Sequence, residues 1–464
     1  NFGGISREVY LRHIDHLDVS RVATKPRVSC NPKCTASLRV TATLTSMTRK
    51  KWRATVRMRV GSRLIAFHPR SLAPARSVTV STALPIGHPR LWSPEKPSLY
   101  PVNVRAYVDD PTTHGKPVAG VELNVGLRTL RRDAATGRLF LNDRPLLLHG
   151  ASHHEDTRFA GSAWGTAQWK TVAEDYKRLN ANVVRSHYPL HPAFLELCDQ
   201  MGLLVWDEVP VYQTPNATWD NPAKRAQALD WDRTMVERDH NHASVFTYSV
   251  SNELPAEVSP GQAAYLDAAV TTIKALDPTR FVAIDRYTDG KYRVSDVLKR
   301  FDLHGINEYF GWYYGAVPQA GAFLDSYHAK FPGQTLAITE VGAEANRSGP
   351  VTEKGTYEFQ SKFMHDQFAV LASRPYVAGA MVWALRDFRV QPGWTGGNPK
   401  PSPPWNMKGL IDRFTGDKPA FAVTSSIYAG IKNGQWPAGL AAQAPLTKSA
   451  SRLNPDDPAF GPSP

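Results

Sequence analysis

At 464 residues the chain is about three times the usual domain length, so two or three domains and a sizeable core are expected. Its 42% hydrophobic and 21% charged residues exclude a disordered protein, and no run approaches the roughly 18 apolar residues of a membrane-spanning helix. The net charge of +13 sits early: residues 1–132 hold 23 Lys/Arg against 7 Asp/Glu, and the remainder 32 against 35.

The chain opens Asn1-Phe2-Gly3-Gly4, without Met, directly in strand-like sequence, and is read as a fragment or trimmed chain. Residues 14–128 form an all-β module. Alternating runs such as Leu38-Arg39-Val40-Thr41-Ala42-Thr43-Leu44 are separated by Pro- and Gly-bearing turns, at a length suited to a small β-sandwich. The basic excess falls here. A basic patch can serve nucleic acid or anionic polysaccharide, but the pattern favours solvated strand faces. In 52–60, Trp52, Ala54, Val56, Met58 and Val60 share one face of a period-two strand, and Arg53, Thr55, Arg57 and Arg59 share the other. Cys30 and Cys34 bracket a turn and could close a small disulfide, which would place maturation outside the reducing cytosol. Cys198 reads as a core residue on an amphipathic helix.

From residue 139 the pattern changes. Eight short apolar runs (146–149, 182–185, 203–206, 245–251, 281–284, 303–306, 335–339 and 380–383) alternate with helix-like segments. Trp169, Val172, Ala173, Tyr176 and Leu179 recur at helical spacing, as do Leu266, Ala269, Ile273 and Leu276. Eight such units predict a (β/α)₈ barrel. From about residue 434 the chain is Pro/Ala/Ser-rich without periodicity and reads as a disordered tail.

In such a barrel the carboxyl ends of the strands line one mouth. Reading off the residues that close each run gives His153-His154-Glu155-Asp156, Arg185 with His187, Asp207-Glu208, Asn252-Glu253, Asp285, Asn307-Glu308-Tyr309, Glu340 and Trp383. A mouth of carboxylates, amides and aromatics suits a polar, ring-shaped substrate such as a sugar. Two carboxylates roughly 5–5.5 Å apart can cleave a glycosidic bond with retention, one attacking the anomeric carbon and the other protonating the departing oxygen. The attacker must stay ionised, and the donor needs a raised pKa. Composition and spacing alone do not select the pair.

The motifs do. Ser249-Val250-Ser251-Asn252-Glu253, preceded by Arg238-Asp239-His240-Asn241-His242-Ala243-Ser244-Val245, resembles the acid/base motif of glycoside hydrolase family 2. Ile338-Thr339-Glu340-Val341-Gly342 resembles its nucleophile motif. Val184-Arg185-Ser186-His187-Tyr188-Pro189 and Leu204-Val205-Trp206-Asp207-Glu208 resemble its second and third barrel strands. Asn1–Leu11 is similar to the last strand of the family's jelly roll, and Leu91-Trp92-Ser93-Pro94 with Leu99-Tyr100 to its immunoglobulin-like domain. The resemblance therefore implies a jelly-roll remnant at 1–13, an immunoglobulin-like sandwich at 14–128, a TIM-barrel catalytic domain at 129–433 and the tail at 434–464. It further implies Glu253 as acid/base, Glu340 as nucleophile, Asn252 on the sugar 2-hydroxyl, His154 and His187 on sugar hydroxyls, and Trp383 as the pocket floor. Asp156 and Arg185 join this substrate-binding set.

Three features resemble the family's β-glucuronidases: His154-Glu155-Asp156, the segment Ile306–Tyr313 with Tyr309 and Tyr313 as pocket tyrosines, and Asn406-Met407-Lys408-Gly409, similar to an Asn-x-Lys motif that holds a uronate carboxylate. A desolvated Lys is costly unless paired, so it rewards a charged C6 and penalises a neutral hexose. The approach Gly396-Gly397-Asn398-Pro399-Lys400-Pro401-Ser402-Pro403-Pro404-Trp405 is longer than the family's usual loop. A β-galactosidase is the alternative specificity. A non-catalytic carbohydrate binder and a nucleic-acid binder are the alternatives of other classes. No Gly-rich phosphate loop, Gly-x-Ser-x-Gly, His-Glu-x-x-His or Cys-x-x-Cys occurs. No metal or cofactor is expected, the partner is a carbohydrate or glycoconjugate rather than nucleic acid or membrane, and homo-oligomerisation stays open.

Overall fold

The computed structural model describes residues 5, 7–30, 33–288 and 295–441. The N-terminal alternation becomes eight strands: β1 (Leu17–Cys30), β2 (Cys34–Ser46), β3 (Trp52–Val60), β4 (Arg63–Ala66), β5 (Arg70–Leu72), β6 (Ser77–Gly87), β7 (Leu99–Val108) and β8 (Ala119–Gly126). One sheet has the order β1-β2-β6, and the other β4-β3-β7-β8 with β5 also against β3. Along β3 the five apolar residues are buried and Arg53, Arg57 and Arg59 are exposed. They face Leu38, Val40, Ala42 and Leu44 of β2 across one core, the interdigitation of a β-sandwich. Cys30 and Cys34 are disulfide-bonded at the turn joining β1 to β2.

The strand expected over 1–13 is not formed among the described residues 5 and 7–13. A strand needs a hydrogen-bonding neighbour, and no described segment pairs with this one. The segment is held to the barrel instead by the Arg7–Glu155 ion pair (2.5 Å) and by a hydrogen bond between His191 Nε2 and Glu8 (3.0 Å). Residues 1–4 and 6 lie outside the described set.

A small antiparallel sheet, β9 (Leu130–Arg132), β10 (Leu139–Leu141) and β11 (Arg144–Leu146), leads into the barrel. Its parallel strands are β12 (Leu148–Ser152), β13 (Val183–Arg185), β14 (Leu204–Glu208), β15 (Val245–Asn252), β16 (Phe281–Tyr287), β17 (Leu303–Asn307) and β18 (Thr335–Val341). After the short β19 (Ala345–Arg347) and β20 (Gly355–Thr356), β21 (Val377–Trp383) closes the ring against β12. All eight runs read from the sequence are barrel strands. The first is displaced by two residues, because Leu146 pairs with Leu139 in the preceding hairpin and three consecutive leucines carry no period of their own. The helix Thr166–Arg178 buries Trp169, Val172, Ala173 and Tyr176, as their spacing predicts, and Cys198 is buried on Pro192–Met201.

Leu148, Val183, Leu204, Trp206, Phe246, Leu303 and Met381 fill the lower barrel and are plugged by Trp92, Leu139 and Leu141. The apolar plug leaves the polar strand ends to the opposite mouth. Sandwich and barrel are joined by directed bonds: Trp92 Nε1 donates to Asp199 O (2.8 Å) and Arg128 Nε to Ala243 O (2.6 Å). The run His240-Asn241-His242 belongs to this joint. Asn241 accepts from Thr24 N and donates to Val22 O (both 2.8 Å), while His242 Nδ1 bonds Asp199 (2.7 Å).

The first described residues of the tail expected from residue 434 are packed on the barrel. Trp436 packs on Phe368 at 5.4 Å and Leu440 against the same core, contacts made by single residues without a periodic signature. Residues 442–464 lie outside the described set.

Candidate active site

The mouth is organised by one cation. Arg185, at the end of β13, is fully buried, and its N–H groups reach acceptors on five other strands, a long contact to Ser152 Oγ (3.4 Å) among them. Nε donates to Asp285 Oδ2 (2.8 Å), Nη1 to Glu340 Oε1 (2.9 Å), and Nη2 to Glu208 Oε2 (3.1 Å) and Asn252 Oδ1 (2.7 Å). Burial disfavours the guanidinium charge, but Glu208, Asp285 and Glu340 together hold it well above the ordinary arginine value. Burial pushes the Asp285 carboxyl well up, the Arg185 charge opposes this, and the Glu208 charge adds to the rise.

Glu340, on β18, also accepts from Tyr309 Oη (2.7 Å). Burial raises its carboxyl, the Arg185 charge opposes this, the Glu253 charge raises it further, and the Tyr309 hydrogen bond pulls it down, leaving it at about 8. Glu253 follows β15 with a left-handed backbone (φ +53°), a strained conformation for a non-glycine residue and one common at functional sites. Its carboxylate accepts from Asn307 Nδ2 (2.9 Å) and Gln213 Nε2 (2.7 Å). Asn307 Nδ2 also donates to Asn252 Oδ1 (3.0 Å), and Thr339 Oγ1 donates to Asn307 Oδ1 (2.8 Å), which fixes the amide's orientation. Glu340 and Glu253 thus belong to one network through Arg185, Asn252 and Asn307. Asn252 Nδ2 is buried without a protein acceptor, a donor waiting for a ligand oxygen.

His187 Nδ1 donates to Glu208 (2.9 Å), and its Nε2 lies 3.4 Å from Glu340. Desolvation holds this imidazole well below its usual pKa, with Arg185 adding to the effect, so the ring is neutral. His154 is likewise pushed down to about 3 by desolvation, then by His187 and Arg185. Its ring lies 5.4 Å from Trp383 and 4.4 Å from Phe388, while His187 lies 4.8 Å from Trp383, so these rings form one wall.

Lys408 is 1% exposed. Its Nζ donates to Tyr313 Oη (2.6 Å) and sits 3.7 Å from Glu344. Tyr313 stacks edge-on against Tyr309 at 5.1 Å, and Tyr309 bonds Glu340, so the ammonium and the carboxylate belong to one cluster. Asn406 Oδ1 accepts the Lys408 backbone N–H (3.2 Å).

Two residues taken as substrate-binding do other work. Arg185 has no exposed surface, and its guanidinium is committed to protein acceptors, so it positions Glu340 from below. Asp156 is ion-paired with Arg413 and accepts Arg389 N (2.6 Å), which engages both its oxygens in holding loops. Asn307 was read as a strand-end residue of the mouth but given no role, and Gln213 and Glu344 were missed. Gln213 and Glu344 lie in loops and carry no such mark.

Fold and site together define a protein of a β-sandwich joined to a (β/α)₈ barrel with carboxylates gathered at its mouth. The chain belongs to glycosyl hydrolases family 2: the family's TIM barrel domain profile matches residues 133–397, and a further family 2 domain profile matches 16–128. The β-glucuronidase of Streptococcus agalactiae is 31% identical over 64% of this chain and 52% of its own length, and that of Chlorocebus aethiops is 29% identical over 68% and 50%. A family 2 β-galacturonidase from Eisenbergiella tayi, solved bound to galacturonate, superposes with a TM-score of 0.80 at 25% identity, covering 90% of this chain and 74% of that one. The chain spans about half the length of the curated relatives it matches.

Proposed function

We propose that this chain carries the catalytic machinery of a retaining, exo-acting β-glycosidase specific for a terminal uronate, a β-glucuronidase. Glu340 is the nucleophile. Its carboxylate oxygen attacks the anomeric carbon while the Glu253 carboxyl gives its proton to the departing glycosidic oxygen. Water, deprotonated by Glu253, then cleaves the glycosyl ester and returns Glu340 as carboxylate. Arg185 and Tyr309 favour the ionised Glu340 that this requires. Asn252 Nδ2, the buried donor without a partner, meets the sugar 2-hydroxyl, a bond that tightens as charge develops on the ring. Trp383, flanked by His154 and His187, is the pocket floor.

The observation carrying the uronate assignment is the desolvated Lys408 ammonium, joined to Glu340 through Tyr313 and Tyr309. A neutral hexose would offer that buried ammonium no anionic acceptor beyond the protein's own Glu344, whereas a uronate would. The β-glucuronidase relatives favour the glucuronide, and the likeness to the E. tayi enzyme makes the galacturonide, its C4 epimer, the second reading. The test is turnover of the p-nitrophenyl β-D-glucuronide, β-D-galacturonide and β-D-galactoside. The glucuronide should be hydrolysed fastest, and Glu340→Gln should lower its kcat by roughly three orders of magnitude or more. A faster galacturonide would change the epimer and leave the mechanism standing. A faster galactoside would overturn the uronate assignment, and sugar binding without any hydrolysis would overturn the enzyme.

A further inference from the structure

The long Pro-rich approach to Lys408 folds back over it. Trp312 Nε1 donates to Gly396 O (2.9 Å), and Trp394 Nε1 donates to Glu344 Oε1 (3.2 Å). At Gly396 (φ +61°) a Cβ would lie 1.8 Å from Glu344 Oε1, so only glycine lets the loop pass this close. Met407 N is a second donor to Glu344 Oε1 (3.4 Å), and the carboxylate is 1% exposed. The Lys408 ammonium lies 4.7 Å from the Tyr313 ring centroid, 5.4 Å from Trp394 and 5.9 Å from both Tyr309 and Trp312. The carboxylates acting on it are Glu344, Glu340 and Asp387. Glu340 is paired with Arg185, and Asp387 with Lys418 (2.8 Å). That leaves Glu344 to balance Lys408. One ammonium N–H is taken by Tyr313 Oη, Glu344 supplies the opposite charge at 3.7 Å, and donor capacity remains for a ligand.

Resting on the uronate reading above, we propose that Glu344, fixed by Trp394, is the positioning residue that keeps Lys408 protonated and aimed at the substrate carboxylate, and so sets the preference for a uronate over a neutral sugar. The physical reason is the cost of an isolated ammonium in a dry pocket. Burial lowers the Lys408 pKa and Glu344 raises it. Without the carboxylate, Lys408 discharges at a lower pH, and uronate binding goes with it.

The experiment compares pH profiles of KM and kcat for p-nitrophenyl β-D-glucuronide, with the β-D-glucoside as the neutral control, in the full chain and in Glu344→Gln. The alkaline loss of glucuronide affinity should move down by at least about one pH unit. Near pH 8 KM should rise about fivefold or more, the change falling on KM rather than kcat. A folded Glu344→Gln with an unmoved alkaline limb overturns the proposal, as does a loss confined to kcat, and both leave the uronate reading intact. A parent chain with no preference for the glucuronide overturns both. Should Glu344→Gln fail to fold, Trp394→Phe decides: it keeps a ring over Lys408 but removes the N–H that fixes Glu344. A smaller shift in the same direction supports the proposal, and no shift overturns it.

Discussion

Arg185 and Tyr309 both act on Glu340, and they separate by what their removal leaves behind. Arg185→Met would strand Glu208, Asp285 and Glu340 in a dry interior without their cation. The expected cost is about 3–5 kcal/mol, read by urea unfolding. Tyr309→Phe removes one hydrogen bond and little else, so its effect should appear in the pH profile. Burial raises Glu340, and the Tyr309 hydroxyl pulls it down by bonding the anion. Attack needs the anion, so kcat/KM falls as pH drops through the Glu340 pKa. That acid limb should lie well above the ordinary Glu value of 4.5, towards about 8, and should move higher still in Tyr309→Phe. A limb at the ordinary value in the parent, or one that moves down in the variant, would contradict this electrostatic account.

At the scale of elements, strand β3 shows why the basic excess was readable. Each Arg alternates with a buried residue, so the two faces can be tested separately. Met58→Ala should cost about 2–5 kcal/mol and Arg59→Ala within about 0.5 kcal/mol, compared by chemical denaturation. Trp92 is a joint rather than a sandwich residue. Its ring plugs the barrel and its N–H bonds Asp199 O, so Trp92→Ala should cost about 3–5 kcal/mol. The barrel strands were legible because each is a short, mostly apolar run set between helix-like segments, as strands covered on both faces tend to be. The boundary of β12 was not, since Leu146, Leu147 and Leu148 satisfy hairpin and barrel equally. The strand expected over 1–13 does not form among its described residues, since a strand depends on a neighbour, which local pattern does not encode.

For the whole molecule, the motifs pointed to Glu253, Glu340, Asn252, Tyr309 and Lys408, which the structure gathers in one cluster. What it could not carry was who bonds whom. Arg185 reads as a substrate ligand until Asp285 and Glu340, 100 and 155 residues away, are seen to take its N–H groups. Asp156 likewise meets Arg413 only once the chain has closed. Glu344 had no signal, because its meaning lies in a loop more than 40 residues later. The account rests on Glu340 and Glu253 working as a pair on one anomeric carbon. The most direct test follows the anomeric proton of the released uronic acid by ¹H NMR during the first minutes of hydrolysis. Two displacements predict that the β-anomer appears first and the α-anomer only later by mutarotation. Initial release of the α-anomer would mean that water attacks directly and that Glu340 is not the nucleophile.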